Sequence, residues 1–143
     1  MKQANGELRV ATRGKGFYDV TRDIRKWVAA QAIQNGLLTV FIRHTSASLT
    51  IQENADPDVR RDLGEFFELL VPESTAQSPQ RYRHTTEGPD DMPAHIRATL
   101  TSTSVSIPVQ GGAIGLGTWQ AIYVFEHRSD PEVRHILLHI LGD

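Results

Sequence analysis

Three segments of this chain place apolar residues at every second position. ELRVATR sets Leu8 and Val10 against Glu7, Arg9 and Thr12, SLTIQE puts Leu49 and Ile51 on one face, and SVSIPVQ alternates Val105, Ile107 and Val109 with serine and proline. A repeat of two is the side-chain period of a strand with one buried face. LLTVFIRH (37–44) is apolar and β-branched at most positions, as a central strand is. FYDV reads as a short strand after the GKG turn at 14–16, and TWQAIYVFEHR reads as a long one. VRHILLHIL fits either period. It is read as a strand, because Gly142 follows too soon for a long helix and its neighbours are β-branched.

Three segments read as helices. Thr21 sits where an N-cap belongs, Ile24, Trp27 and Val28 follow on one face, and Gly36 is the expected stop. Asp56-Pro57 is a cap followed by proline at the first helical position. Behind it Val59, Leu63, Phe66, Phe67 and Leu70 form one apolar face, and Pro72 ends the helix. Asp90 or Asp91 would cap a short helix over Pro93–Leu100. The order β-β-α-β-β-α-α-β-β-β does not alternate regularly, so the expected class is α+β with a mainly antiparallel sheet. A length of 143 residues suits one domain, 1–143, with a real core.

Charge and composition narrow the function classes. The net charge is -2 with both signs dispersed, so no basic stripe points to nucleic acid and no basic amphipathic segment to a membrane surface. There is no cysteine, which excludes disulfides, thiolate catalysis and cysteine–zinc sites. MKQANGELRV lacks the apolar core of a signal peptide, and no apolar run approaches a bilayer span, so a cytoplasmic protein is expected.

Any metal site must then use histidine, carboxylates or backbone. His44 and His127 end apolar strands, and His84 and His95 bracket the polar stretch RHTTEGPDDMPAH. Strand ends and loops are where a scaffold presents reactive groups. The spacing of His84 and His95 matches no zinc signature. His135 and His139, four apart, lack the glutamate of a zincin helix and read as structural, near a subunit contact. Asp56 and Asp91 have a local explanation as caps. Glu87 and Asp90 project from the Glu-Gly-Pro turn near two histidines; they either bind a cation, do acid–base work, or serve turn geometry. GGAIGLGT is neither a P-loop nor a dinucleotide fingerprint. Its Gly117-Thr118 amides could face an anion, or the loop is a bulged turn. Trp119 reads as core, and no G-x-S-x-G elbow surrounds the hydroxyls of HTSAS (44–48).

Four of these stretches together resemble one family. HTSASLTIQENAD (44–56), RHTTEGPDDMPAH (83–95), SVSIPV with LGTWQ (104–120), and EHR (126–128) are similar, in order, to the motifs of the YjbQ-like family of secondary thiamine-phosphate synthases. Ala121 departs from the family's usual glycine, and Gly-Gly-Ala-Ile-Gly-Leu replaces its Gly-Arg-Leu type turn. The resemblance implies a β-sandwich-like or half-barrel sheet flanked by helices, and a homotrimer with a polar site near the subunit interface. It implies that His44, Ser46, Ser48, Asn54 and Asp56 line that site. With them would stand His84, Glu87, Asp90, Asp91 and His95, then Gly117, Thr118, Trp119 and Gln120, and finally Glu126 and His127.

On that basis the expected reaction joins a pyrimidine pyrophosphate to a thiazole phosphate. His84, His95 and His127 would bind a divalent metal, zinc or magnesium, or the phosphate of a phosphorylated substrate. Asp56 and Asp90 would complete or orient that shell, the Ser46 and Ser48 hydroxyls and the Gly117-Thr118 amides would face the anion, and His44 or Glu87 would carry the proton. The alternatives are another metal-assisted hydrolase or transferase of a phosphorylated small molecule, and a trimer that binds a metal or anion without chemistry.

Overall fold

The computed structural model describes all 143 residues, Met1–Asp143. Eight strands and three helices follow in chain order: β1 (Lys2–Arg13), β2 (Gly16–Asp19), α1 (Thr21–Ala29), β3 (Asn35–Ile42), β4 (Ala47–Glu53), α2 (Pro57–Leu70), α3 (Asp91–Leu100), β5 (Ser104–Gln110), β6 (Ala113–Ile114), β7 (Gln120–Glu126) and β8 (Pro131–Gly142). The strands form a five-stranded sheet, β1-β8-β3-β5-β6, and a three-stranded sheet, β2-β7-β4. Every pairing is antiparallel. The expected α+β class holds, and the curled sheet is a half-barrel flanked by helices. No helix is long and apolar enough to cross a membrane.

The core lies between the two sheets and follows the period of two. Leu38, Val40 and Ile42 of β3, Ile136, Leu138 and Ile140 of β8, and Ile107 and Val109 of β5 point inward against Leu49, Ile122 and Val124. Helix α1 closes one end with Ile24 and Val28. VRHILLHIL is a strand, because β1 and β3 pair with it on both edges and satisfy its backbone groups. The glycine loop is not one loop: it opens with a two-residue hairpin, Gly111-Gly112, and continues as the short strand β6. Gly111 and Gly112 both take positive φ, 59° and 77°, as a type I′ turn between β5 and β6 requires.

Several local expectations give way. Thr21 is the first residue of α1, not its cap. Asp19 Oδ1 accepts from the Thr21 amide at 2.9 Å, and the Thr21 hydroxyl accepts from the Ile122 amide at 2.8 Å, tying the helix to β7. Gly36 does not stop α1. The helix ends at Ala29, Ala32 turns the chain with a φ of 54°, and Gly36 lies inside β3 opposite Gly142. Thr12 points inward with Leu8 and Val10, as the parity of a strand demands, and is buried. Trp119 is 62% exposed, so it is not core.

Helix α2 starts as its cap predicts, with Asp56 Oδ1 accepting from the Asp58 amide at 2.9 Å. Yet none of its residues is buried. Phe66, Leu69 and Leu70 stay exposed. The outer face of the large sheet does the same with Leu37, Phe41, Val133, Leu137 and Leu141.

The edge strand β1 packs closely on α1. A Cβ at Gly6 would overlap the Trp27 indole. Gly6→Ala is expected to lower stability by about 1–3 kcal/mol in urea denaturation, as overpacking does. Combining it with Trp27→Leu should recover part of that loss, so the two changes will not be additive.

Candidate functional site

The histidines and most of the carboxylates singled out in the sequence gather at one end of the sandwich, around the end of β7, while Asn54, Asp56 and residues 117–120 stand at the other. Glu126 is buried and accepts both arms of Arg134, from Nε at 2.7 Å and from Nη2 at 2.5 Å. Thr12 Oγ1 donates to the same carboxylate at 2.6 Å. The amides of His127 and Arg128 donate to Oε2 at 3.0 and 3.2 Å. Glu126 therefore has no free lone pair for a ligand. It is a structural hub rather than a lining residue.

His127 and Arg128 leave this hub in different directions. The His127 ring is fully buried beside Phe125, with Nε2 at 2.9 Å from Ser48 Oγ and Nδ1 without a partner. Burial, with the Arg97, Arg134 and Lys15 charges, pushes its pKa down to about 3, so the ring is neutral. Arg128 spans the polar stretch between His84 and His95. Its Nε donates to Asp90 Oδ2 at 3.0 Å, its Nη1 meets Asp91 Oδ1 at 2.8 Å, and its Nη2 donates to the Glu87 carbonyl at 2.9 Å.

This overturns the cap reading of both aspartates. Asp90 precedes α3 but caps nothing with its side chain. Its Oδ2 accepts from Arg128 and from the Ser129 amide at 2.8 Å. Asp91 Oδ2 lies 2.7 Å from His84 Nε2 and 3.1 Å from His95 Nε2. Burial alone would raise both aspartates. For Asp90 the Ser129 amide and Arg128 overcome it, and for Asp91 the His84 bond, Arg128 and His95 do, so both sit below their ordinary values and are ionised at neutral pH.

His84, Asp91 and His95 bring three ligand atoms within 4.8 Å of one another. Asp91 and His95 are four apart in α3, on one face of it. The Thr45 carbonyl accepts from His95 Nδ1 at 2.9 Å. That bond places the neutral ring's hydrogen on Nδ1 and leaves Nε2 as a lone pair facing an ionised carboxylate. Two acceptors at 3.1 Å repel unless a proton or a cation lies between them. A histidine oriented through its far nitrogen, beside a carboxylate itself held by arginine, is the arrangement of a metal ligand with its outer shell. The donor set fits a divalent cation.

Other expected site residues do not join this cluster. His127 is outside it, turned to Ser48. His44 Nε2 accepts from the His135 amide at 2.8 Å, and its Nδ1 lies 3.4 Å from Arg134 Nη1. Burial first, then the Arg134 and His135 charges, lower its pKa. The Ser46 carbonyl accepts from Arg134 Nη2 at 3.2 Å. Glu87 is exposed. The remaining group stands at the other end of the β4–β7 ladder. Ala47 pairs with Glu126 at the histidine end, and Glu53 pairs with Gln120 at the far end. Six residue steps at about 3.3 Å each separate the two ends by about 20 Å. There the Gly117 amide donates to Gln120 Oε1 at 2.8 Å, and the Asn54 amide donates to the Trp119 carbonyl at 3.0 Å. Asn54, Asp56, Gly117, Thr118, Trp119 and Gln120 are all exposed. The Gly117 amide is thus occupied within its own turn.

Sequence reasoning missed Arg128, although EHR contains it, and missed Arg134, Thr12 and the Thr45 carbonyl. A carboxylate partner some forty positions away leaves no local signal.

The chain belongs to the YjbQ family: the family model described as "UPF0047 protein YjbQ-like" matches residues 6–143. A UPF0047 protein of Synechocystis is 52% identical over 136 residues, covering 95% of this chain and 90% of that one. The UPF0047 protein YjbQ of Escherichia coli O157:H7 is 41% identical, covering 95% and 96%. Among solved structures, a YjbQ/UPF0047 family protein of Clostridium acetobutylicum superposes with a TM-score of 0.81 at 34% identity, covering 96% of this chain and 99% of that one. A protein of Sulfolobus solfataricus, described as of unknown function, superposes with a TM-score of 0.87 at 24% identity over 99% of both chains, which bears on the fold alone.

Two tests address the hub and its neighbour. Glu126→Ala leaves the Arg134 charge buried and without its carboxylate and is expected to cost about 3–5 kcal/mol, whereas Glu126→Leu with Arg134→Met should recover only part of it in urea denaturation, because the Thr12 hydroxyl and the His127 and Arg128 amides still lose their acceptor. His127 has a depressed folded pKa, so the unfolded chain takes up its proton first as pH falls below about 6.5. Stability should therefore drop by roughly 1.4 kcal/mol per pH unit from there toward pH 3, about 2 kcal/mol by pH 5. The depressed pKa of His44 adds in the same direction. In His127→Gln the slope over pH 6.5–5 should flatten toward the residual His44 contribution.

Proposed function

We propose that the protein is a metal-dependent transferase of the secondary thiamine-phosphate synthase type, with His84, Asp91 and His95 holding a divalent cation, zinc or magnesium. The observation that carries this reading is the His95 geometry: Nδ1 is committed to the Thr45 carbonyl while Nε2 opposes an ionised carboxylate. A bound cation supplies charge neutralisation for a departing pyrophosphate. Arg128 orients Asp91 and keeps Asp90 and the Glu87 turn in register beside it. The Glu87 side chain is exposed and free, which makes it the better proton carrier. His44 has Nε2 already engaged by a backbone amide.

We further propose a homotrimer with the site near the subunit contact. Two observations support it. The expected site residues split between opposite ends of one chain, so only a second copy could bring the exposed loop 117–120 to the histidine cluster. Apolar side chains on the outer face of the large sheet and on α2 are open to water, where a monomer rarely leaves them. A second reading, a trimer that binds a metal or anion without chemistry, is favoured by the engaged state of His44.

Elemental analysis of untagged protein should find close to one divalent metal per chain. His84→Ala and His95→Ala should lose it, and His127→Gln should keep it. Full retention in both alanine variants would sink the proposed centre. Light scattering should give about three times the 15.9 kDa protomer mass. Metal bound without turnover of the pyrimidine pyrophosphate and thiazole phosphate would favour the binding module.

A further inference from the structure

Two buried side-chain atoms in this chain lack any polar partner, Arg97 Nε and His127 Nδ1. Arg97 lines a cavity of about 410 Å³ between α2 and the outer face of the three-stranded sheet. The cavity wall carries Lys15, Arg60, Arg61 and Arg97 together with Glu65 and Glu68. Three of the cations have carboxylate partners. Lys15 reaches Glu73 at 2.8 Å and Glu68 at 3.0 Å, Arg97 reaches Glu68 at 3.2 Å, and Arg61 reaches Asp58 at 2.7 Å. Arg60 has none: its Nη1 reaches the Tyr123 hydroxyl at 3.2 Å and the Glu53 carbonyl at 3.4 Å. Arg97 is held in the wall by Glu68 and by the Val71 carbonyl, which accepts from its Nη2 at 2.9 Å, so Arg60 is the cation of this wall without a carboxylate partner.

The remaining surfaces suit a flat ring. Phe17 and Phe125 stack at 4.2 Å and line the cavity on the sheet side. On the helix side stands Gly64, in the middle of α2, where glycine is unfavourable against alanine. Its φ is not positive, and an added Cβ would meet nothing within 4 Å. Neither backbone nor packing requires a glycine there. Its effect is to keep the cavity open.

We propose that this cavity is a binding site for a small organic oxyanion carrying a flat ring, with the anionic group between Arg60 and Arg97 and the ring against Phe17 and Phe125. Glu68 is half-exposed and answers Arg97 and Lys15 when no anion is bound. An incoming oxyanion competes with it. The site is separate from the His84–Asp91–His95 cluster, since Arg97 is turned about 200° from His95 around α3. The inference does not rest on the metal reading.

Titration calorimetry on the full chain tests it with phenyl phosphate, benzoate, inorganic phosphate and benzyl alcohol. Phenyl phosphate or benzoate should bind, and which binds more tightly identifies the oxyanion. Inorganic phosphate should bind at least about tenfold more weakly, and benzyl alcohol not at all. Arg60→Gln should weaken binding about tenfold, and Glu68→Gln, which removes the competitor, should tighten it. Gly64→Leu should abolish binding while its thermal midpoint stays at or above that of the wild type, and His84→Ala should change nothing. The proposal is overturned if neither ringed anion binds the wild type. It fails equally if binding survives both Gly64→Leu and Arg60→Gln, or disappears in His84→Ala.

Discussion

The Glu126–Arg134 pair joins the two sheets from inside the core, and the polar end of the molecule is arranged around it. Glu126 belongs to β7 of the small sheet and Arg134 to β8 of the large one. Thr12 brings β1 to the same carboxylate. Such a pair is costly to desolvate, and it holds here because the carboxylate's acceptor sites are filled by five donors from four residues. Two of those donors are the amides of His127 and Arg128. The pair thereby aims the chain as it leaves β7, sending one side chain beneath the helices and the other across the top of α3.

From that divergence the two polar regions follow. Arg128 reaches forward to Asp90 and Asp91 and so sets where α3 begins and where His95 points. His127 goes inward to Ser48 and stays neutral because burial makes its charged form expensive. Helix α3 separates the two regions, with Asp91 and His95 on one side and Arg97 on the other. Helix α2 meets the small sheet through Phe67, edge-on to Phe125, and turns Arg60, Gly64 and Glu68 to the cavity, so its apolar face is only partly covered. That explains how a helix with an apolar face can have no buried residue, and it leaves Phe66 and Leu70 available to another surface.

Much of the fold was legible because its signals are local. The period of two in β1, β4 and β5 states which residues face the core, and Asp56-Pro57 states where α2 begins. Local reasoning failed where a side chain had a distant partner. Thr21 looked like a cap but binds the Ile122 amide, and Asp90 and Asp91 looked like caps but belong to Arg128, His84 and His95. Trp119 looked like core because indoles usually are, yet its loop extends beyond the end of the ladder.

By itself the sequence determined the strand and helix pattern, the exclusion of cysteine chemistry, and a set of histidines and carboxylates at strand and loop ends. Each of these depends on composition or on neighbours a few positions apart. The tertiary structure decided which of those groups meet. It brought His84, Asp91 and His95 together, withdrew Glu126 into an ion pair, and carried the loop 117–120 to the far end of β4 and β7. Sheet pairing acts over separations of up to 140 residues, as between Lys2 and Gly142, and hydrogen-bond register rather than sequence proximity sets which side chains share a site.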